Sequence, residues 1–177
     1  MLINLYDVLS VAGKEKTVKA AFTKQEVSYF GEILKVSAED EFDVVLTHTE
    51  KGIVDVAFSV KVKVIRVCSR CLEDVSKEYL LDIARMVDVE KGEVYTDNKE
   101  ESEKISYIED CTLDVDMLIL DELYTVLPMN VLCKEDCKGI CKVCGTNLNK
   151  STCDCDQMVP DPRMAVFSDI FNQFKEV

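Results

Sequence analysis

The chain has 177 residues, of which 47% are hydrophobic, and its net charge is −13. This length fits one domain with a small appendage, and the hydrophobic content excludes a largely disordered protein. The negative charge argues against a general nucleic-acid binder, because affinity for phosphate backbones depends mainly on Lys and Arg.

The ends and the apolar runs of the chain give no sign of export or membrane insertion. The first residues lack the basic and apolar regions of a secretory signal, and no run reaches the ~18 apolar residues of a membrane span. We therefore expect a cytoplasmic protein without membrane association. In that reducing compartment, nine cysteines favour metal ligation over disulfide bonds.

The first half of the chain predicts an antiparallel sheet. Residues 2–9 alternate weakly and suggest a first strand, and residues 20–37 suggest strands with a turn. Phe42, Val44 and Leu46 share one parity, which predicts a strand of about seven residues.

The clearest pattern in the chain is the alternation of apolar and polar residues from Val54 to Val64. It predicts a strand with one buried face and one solvated face. Ile65 and Val67 then break the alternation, because both are apolar where polar residues are due. We expect a β-bulge or a bend near Val64–Arg66.

A returning strand is predicted from Val75 to Val89, so that Cys68-Ser-Arg-Cys71 lies at the tip of a hairpin. Residues 90–104 are charged and without periodicity, which predicts a mobile, solvated acidic loop. The wider segment from Met86 to Leu127 holds 13 acidic residues against three lysines and carries most of the net charge.

Two helices are predicted in the second half of the chain. Thr112 or Asp114 caps a helix whose apolar residues follow helical spacing up to Val126, and Pro128 ends it. Asp161 and Pro162 open the second helix as N-cap and first helical residue.

Together these elements predict an α+β fold, a twisted antiparallel β-sheet packed by one or two helices, with a zinc-ribbon-like module at the C-terminus. The predicted domains are residues 1–130, with the sheet, the first helix and the acidic loop, and residues 131–177, with the cysteine-rich module and the second helix.

Eight of the nine cysteines fall into four close pairs, which in chain order are Cys68/Cys71, Cys133/Cys137, Cys141/Cys144 and Cys153/Cys155. Four thiolates around one ion make a closed tetrahedral site, typical of structural zinc. The short loop between the last two pairs favours joining them in one ribbon-like site, which we call the tail site. The second pair then needs two more thiolates, and only the first pair remains. We call the set of the first and second pairs the hairpin site. We expect the chain to bind one or two zinc ions.

Other assignments of the thiols stay open. A rival grouping joins the second and third pairs into one site and leaves the first pair with the fourth or without metal. An iron–sulfur cluster uses the same ligand type. Cys68-x-x-Cys71 has the spacing of a redox dithiol, but such motifs normally lie at a helix N-terminus, and none is predicted there. The ninth cysteine, Cys111, fits an ordinary buried residue better than a nucleophile.

The sequence contains no pattern of catalytic residues. His48 is the only histidine, and no nucleophile elbow, P-loop or HExxH motif is present. We therefore expect a non-enzymatic protein without a small-molecule substrate.

A strip of basic residues runs along the long predicted strand and into the hairpin tip, comprising Lys61, Lys63, Arg66 and Arg70. One interpretation is the solubility of an exposed sheet face. The other is a contact with RNA or the ribosome, because a rigid basic face suits phosphate positioning. Few aromatic residues lie between these positions, which argues against binding of single strands.

These motifs resemble the bacterial YceD family, the large ribosomal RNA subunit accumulation proteins. The matching stretches cover the chain from about Val54 to its end and are Val67-Cys-Ser-Arg-Cys-Leu-Glu73, Asp121-Glu-Leu-Tyr-Thr-Val-Leu-Pro128, Leu132 to Asn149, Cys153-Asp-Cys155 and Asp161-Pro-Arg163. The residues before Val54 match only in general character.

The resemblance implies a cytoplasmic factor needed for the accumulation or maturation of large-subunit (23S) ribosomal RNA, and hence a role in ribosome biogenesis. The expected partner is a pre-ribosomal particle, ribosomal RNA or a ribosome-associated protein. The resemblance supplies no catalytic residues. The alternative from another class is a thiol-based redox or metal-handling protein.

Overall fold

The computed structural model describes residues 1–38, 41–50, 52–95, 102–104 and 107–155. The elements in chain order are β1 (Leu2–Asn4), α1 (Tyr6–Leu9), β2 (Glu15–Ala20), β3 (Glu26–Tyr29), β4 (Glu32–Ala38), β5 (Phe42–Glu50), β6 (Ile53–Val67), β7 (Asp74–Asp88), β8 (Glu93–Tyr95), β9 (Ser102–Lys104), β10 (Ile108–Glu109), β11 (Thr112–Asp114) and α2 (Val115–Val126).

The chain divides into two compact units. Unit 1 consists of Met1–Arg66 and Asp74–Val131, and unit 2 consists of Val67–Glu73 and Leu132–Val177. In the second segment of unit 2 the structure describes residues 132–155. The predicted division at residue 130 differs from this one because Val67–Glu73 belongs with the cysteine-rich segment.

Unit 1 is mostly antiparallel sheet with few helices, as the alternating patterns predict. In the larger sheet the strand order is β2-β5-β6-β7-β8-β9, and β4 pairs with both β3 and β6. A smaller sheet has the order β1-β11-β10. Neither helix in the described part of the chain has the length and apolarity needed to cross a bilayer.

The long strand β6 keeps its alternation of buried and more exposed side chains to its end, so a β-bulge, one of the two expectations near Val64–Arg66, is wrong. Val64 and Arg66 are both buried, while Val67 is exposed. The register is regular there, with Lys35 opposite Ile65. The alternation looks broken in the sequence because Arg66, a charged residue, occupies an inward position. Its side chain is held inside by specific partners, which are described below.

Helix α2 forms as predicted and covers part of the sheet. The Asp114 side chain accepts hydrogen bonds from the backbone N–H groups of Asp116 and Met117, at 3.1 and 3.4 Å, and so caps the first turn. The apolar face buries Leu118 and Leu123 completely, and the helix packs on β7. This face contributes to the core of unit 1.

The predicted acidic loop at residues 90–104 is wrong in part, because β8 and β9 form an antiparallel pair there. Val94 lies opposite Glu103 and is buried. The backbone pairing and this buried valine offset the unfavourable charge density of the segment. Residues 96–101, between the two strands, lie outside the described residues, as does the helix predicted from Asp161.

Candidate metal centres

The hairpin site brings together Cys68, Cys71, Cys133 and Cys137, all of which belong to unit 2. The four sulfur atoms lie within 4.8 Å of one another. The Sγ–Sγ distance is 3.8 Å between Cys68 and Cys137 and 3.5 Å between Cys71 and Cys133. Bonds of about 2.3 Å to a tetrahedral zinc ion would place its sulfur ligands about 3.8 Å apart. The spacing therefore fits a tetrahedral metal ion.

The loop that presents the first two thiols is closed by its own backbone. Leu72 N donates to Cys68 O at 3.0 Å, and Cys68 N donates to Glu73 O at 2.8 Å. Leu72 adopts a left-handed conformation with φ of 61°, which turns the chain back towards β7. The second thiol pair is set by a tight turn in which Cys137 N donates to Lys134 O at 3.1 Å.

Backbone N–H groups surround the Cys68 thiol. Burial raises the pKa of Cys68, but the N–H groups of Cys71, Arg70 and Cys133 lower it by more, to about 6. Burial and the neighbouring thiols, first that of Cys137, raise the pKa of Cys133 to about 12. The four thiols therefore do not all ionise without a compensating cation. A bound metal ion would supply that positive charge.

The tail site brings together the sulfur atoms of Cys141, Cys144, Cys153 and Cys155, again within 4.8 Å of one another. Its first two ligands flank a tight turn, in which Cys141 N donates to Thr146 O at 2.8 Å. The side-chain and backbone hydrogen bonds of Thr146 lower the pKa of the Cys144 thiol to about 6. This residue is poised to act as a thiolate ligand.

Among the described residues, the cysteine sulfurs assemble into these two sets and not into the rival grouping. Cys111 lies in neither set and is half-buried, with a φ of 57°. Each set offers four thiolates and no open coordination position, an arrangement that suits a structural ion rather than a catalytic one. Both sets could hold a metal ion.

Arg66, predicted as a contact residue, is instead buried in unit 1. Its guanidinium donates to Glu32 at 2.8 Å and to Pro128 O at 2.6 Å, and it lies 5.4 Å from the centre of the Tyr29 ring. Two longer hydrogen bonds, both of 3.3 Å, run from Arg66 Nε to Glu32 and from the guanidinium to Met129 O. These partners occupy the guanidinium, so Arg66 holds the end of α2 and β4 in place and is not available to RNA.

Replacing Arg66 with methionine is expected to lower the free energy of unfolding of unit 1 by about 3 kcal/mol. The substitution keeps the length of the side chain but leaves Glu32 and two backbone carbonyls without their donor. Urea unfolding followed by circular dichroism measures the effect. The exposed Lys61→Met, on the same strand, serves as the control and is expected to change stability by less than about 0.5 kcal/mol. Equal effects of the two substitutions would contradict the structural role of Arg66.

The other basic candidates are more exposed to solvent than Arg66. Lys61 is exposed and Lys63 is half-buried. They line an open cleft of unit 1 together with Glu41 and Glu78, so its charge is mixed rather than basic. Arg70 is exposed, but its guanidinium donates to Cys137 O at 3.0 Å and so supports the hairpin site.

Two residues at the metal centres escaped the sequence prediction. Gly139 has a φ of 77°, and a Cβ there would lie 3.0 Å from Arg70 O, so the position requires glycine. Asn149 donates from its side-chain amide to Cys137 Sγ at 3.3 Å. The glycine just after a cysteine pair was a usable sign of a turn, whereas nothing in the sequence marks Asn149.

Known proteins provide an independent comparison. The family model described as Large ribosomal RNA subunit accumulation protein YceD matches residues 56–171. An uncharacterized protein of Mycobacterium tuberculosis (strain H37Rv) is 28% identical over 98 residues, which are 55% of this chain and 46% of that protein. Another of Mycobacterium leprae is 27% identical over 93 residues, 52% of this chain and 42% of that protein.

A plant protein named Large ribosomal RNA subunit accumulation protein YCED homolog 1, chloroplastic, from Arabidopsis thaliana, is 30% identical over 64 residues. These residues are 36% of this chain and 20% of that protein. This chain therefore spans less than half the length of the curated relatives it matches. No solved structure matches the chain.

The family match covers most of the chain and includes every cysteine of the hairpin and tail sites. It also includes β6 from Val56 onwards, the whole of β7 and the capped helix α2. On this match, the chain belongs to the YceD family of large ribosomal RNA subunit accumulation proteins.

Proposed function

We propose that this protein supports the accumulation of large-subunit ribosomal RNA in the cytoplasm, as a non-enzymatic accessory factor of ribosome biogenesis. The observation that carries the proposal is the family match over residues 56–171, which includes both four-cysteine sets. The name of the Arabidopsis relative points the same way. The absence of a catalytic motif from the sequence is consistent with an accessory role.

We propose zinc as the metal at both sites. All eight ligands are thiolates in closed sets of four, and the ligand pairs are closely spaced in sequence, as in structural zinc sites. Zinc bound in this way would fix the loops of unit 2, none of whose described residues belongs to the buried apolar cluster. Cys68-x-x-Cys71 lies in a hairpin loop rather than at a helix N-terminus, which favours this structural role over the redox alternative.

The partner that we propose is a pre-ribosomal particle, engaged through its proteins or its ribosomal RNA. Lys61 and Lys63 are the basic candidates on unit 1, and Arg70 is the candidate on unit 2. The acidic side chains beside the two lysines in the cleft make it poorly suited to bare RNA, because they repel phosphate. A mixed surface of this kind suits the protein and RNA surface of a particle better.

The proposal is tested in a strain that lacks the gene for this protein. Large-subunit rRNA is expected to fall relative to small-subunit rRNA, and the wild-type gene is expected to restore it. In sucrose gradients, the tagged protein is expected to sediment with particles of the large subunit. The charge reversal Lys61→Glu/Lys63→Glu is expected to reduce this co-sedimentation, whereas Lys14→Glu/Lys24→Glu, at two exposed lysines outside the cleft, serves as the matched control.

Unchanged rRNA ratios in the deletion strain, together with no sedimentation with particles, would overturn the proposed function. Loss of co-sedimentation in both charge-reversal variants would instead show that total charge, and not the cleft, determines the contact.

A further inference from the structure

Asn149 connects the two metal centres of unit 2. Its side-chain amide nitrogen donates to the Cys137 sulfur at 3.3 Å, and its side-chain oxygen accepts from Lys138 N at 3.0 Å. Asn147 also holds this side chain in place. Its side-chain oxygen accepts from the backbone N–H of Asn149 at 2.9 Å and from the side-chain amide nitrogen of Asn149 at 3.0 Å. The amide is therefore held in one orientation, aimed at a ligand of the hairpin site.

Two further contacts run between the same parts of unit 2. Lys150 forms an ion pair with Glu73, whose carboxylate lies 3.9 Å from the Cys71 sulfur. The ammonium group offsets the repulsion between this carboxylate and a thiolate. In addition, Ile140 N donates to Arg70 O at 3.1 Å. Three contacts therefore join the segment around the tail site to the hairpin site. They are made by Asn149, Lys150 and Ile140.

Asn149 and Lys150 lie in the loop between the second and third ligands of the tail site, Cys144 and Cys153. The middle of this loop is held by the hydrogen bond from Leu148 N to Gly139 O at 2.9 Å. A metal ion in the tail site would fix both ends of the loop. Closure of the tail site would therefore restrict the position of Asn149 further.

We propose that the two sites bind metal cooperatively, with Asn149 as the positioning residue that couples them. Metal in the tail site fixes the loop, and the fixed loop holds the Asn149 amide against the Cys137 thiolate. Hydrogen bonds to metal ligands typically raise metal affinity 10- to 100-fold. Because such coupling is reciprocal, metal in the hairpin site strengthens the tail site by the same factor. The inference requires both sites to bind metal, but it does not depend on the ribosomal role.

The test is a titration of the full-length, metal-free protein with Zn²⁺ in competition with a chromophoric chelator. Wild-type protein is expected to fill both sites together, with a Hill coefficient above 1. Asn149→Ala is expected to lower the affinity of the hairpin site by about 10- to 100-fold and to separate the two steps. Ser151→Ala, at an exposed position of the same loop, is the matched control and is expected to titrate like wild type. Resonances of bound ¹¹³Cd²⁺ assign each step to its site.

A double-mutant cycle separates coupling from a purely local effect. In Cys153→Ser/Cys155→Ser the tail site is lost, and the hairpin site is expected to weaken by the same factor as in Asn149→Ala. Adding Asn149→Ala to this variant is then expected to cause no further loss. Independent filling of the two sites in wild type, or an equal effect of Asn149→Ala with and without the tail site, would overturn the proposal. A chain that binds no metal would overturn the metal assignment and leave the rRNA experiments unaffected.

Discussion

Cys68→Ser is expected to reduce the bound zinc from two ions per chain to one. Serine is a poor zinc ligand, and the three remaining thiols of the hairpin site no longer close a tetrahedron. The apparent folding free energy that one structural zinc ion supplies is on the order of 10 kcal/mol, so the segments that meet at this site are expected to separate. Elemental analysis of the purified protein measures the stoichiometry, and a chromogenic thiol reagent measures the thiols that become reactive.

Cys111→Ser is the matched control, because Cys111 lies in neither set. It is expected to retain both ions. Two ions in Cys68→Ser would contradict the hairpin site, whereas one ion in both the wild type and Cys68→Ser would favour the rival grouping that leaves Cys68 and Cys71 without metal. Rapid oxidation of Cys68 and Cys71 to a disulfide in the zinc-loaded wild-type protein would instead favour the redox alternative.

Leu118→Ala is expected to lower the free energy of unfolding of unit 1 by about 3 to 5 kcal/mol. Leu118 is fully buried on the inner face of α2, so alanine leaves a cavity that the surrounding side chains fill only in part. Chemical denaturation followed by circular dichroism gives the value, measured with zinc present so that unit 2 remains folded.

Met117→Ala is the control in the same helix, one residue earlier, where the side chain is 37% exposed. It is expected to cost less than about 1 kcal/mol. Similar losses for the two substitutions would mean that helix propensity, and not burial, determines the stability of α2.

Much of the sheet and the helix was predictable because their signs are local. Strands β5 and β6 follow from apolar residues of one parity over most of their length, and α2 follows from its Asp114 cap and helical spacing. The edge strand β2 was not predicted. Its lysines, Lys16 and Lys19, suggest a solvated segment and not a strand. However, lysines are common on edge strands such as β2, where they discourage pairing with another chain.

Arg66 shows where reasoning from pattern fails. An arginine at an inward position breaks the apparent alternation, so the sequence suggested a bulge and an exposed basic residue. The burial is tolerated only because Glu32 and the carbonyls of Pro128 and Met129 accept from the guanidinium. Those partners lie far from Arg66 in sequence, and no local rule connects them.

For the cysteine sets, spacing alone was enough to predict how the tail-site cysteines group, because they surround one short loop. The hairpin site required an argument by elimination, since its two pairs come from distant parts of the chain. Supporting residues such as Asn149 were beyond prediction. An asparagine in a polar loop is common, and only the folded loop shows that its amide meets Cys137.

The discontinuity of unit 2 has a consequence for the timing of biosynthesis. Cys68 and Cys133 are 65 residues apart in the chain, whereas the ligands of the tail site lie within a single short segment. At about 5–20 residues per second, the first pair of thiols waits roughly 3 to 13 seconds on the nascent chain before the second pair is made. During that interval β7 and α2 are synthesised. The hairpin site therefore closes only after β7 and α2 have been synthesised.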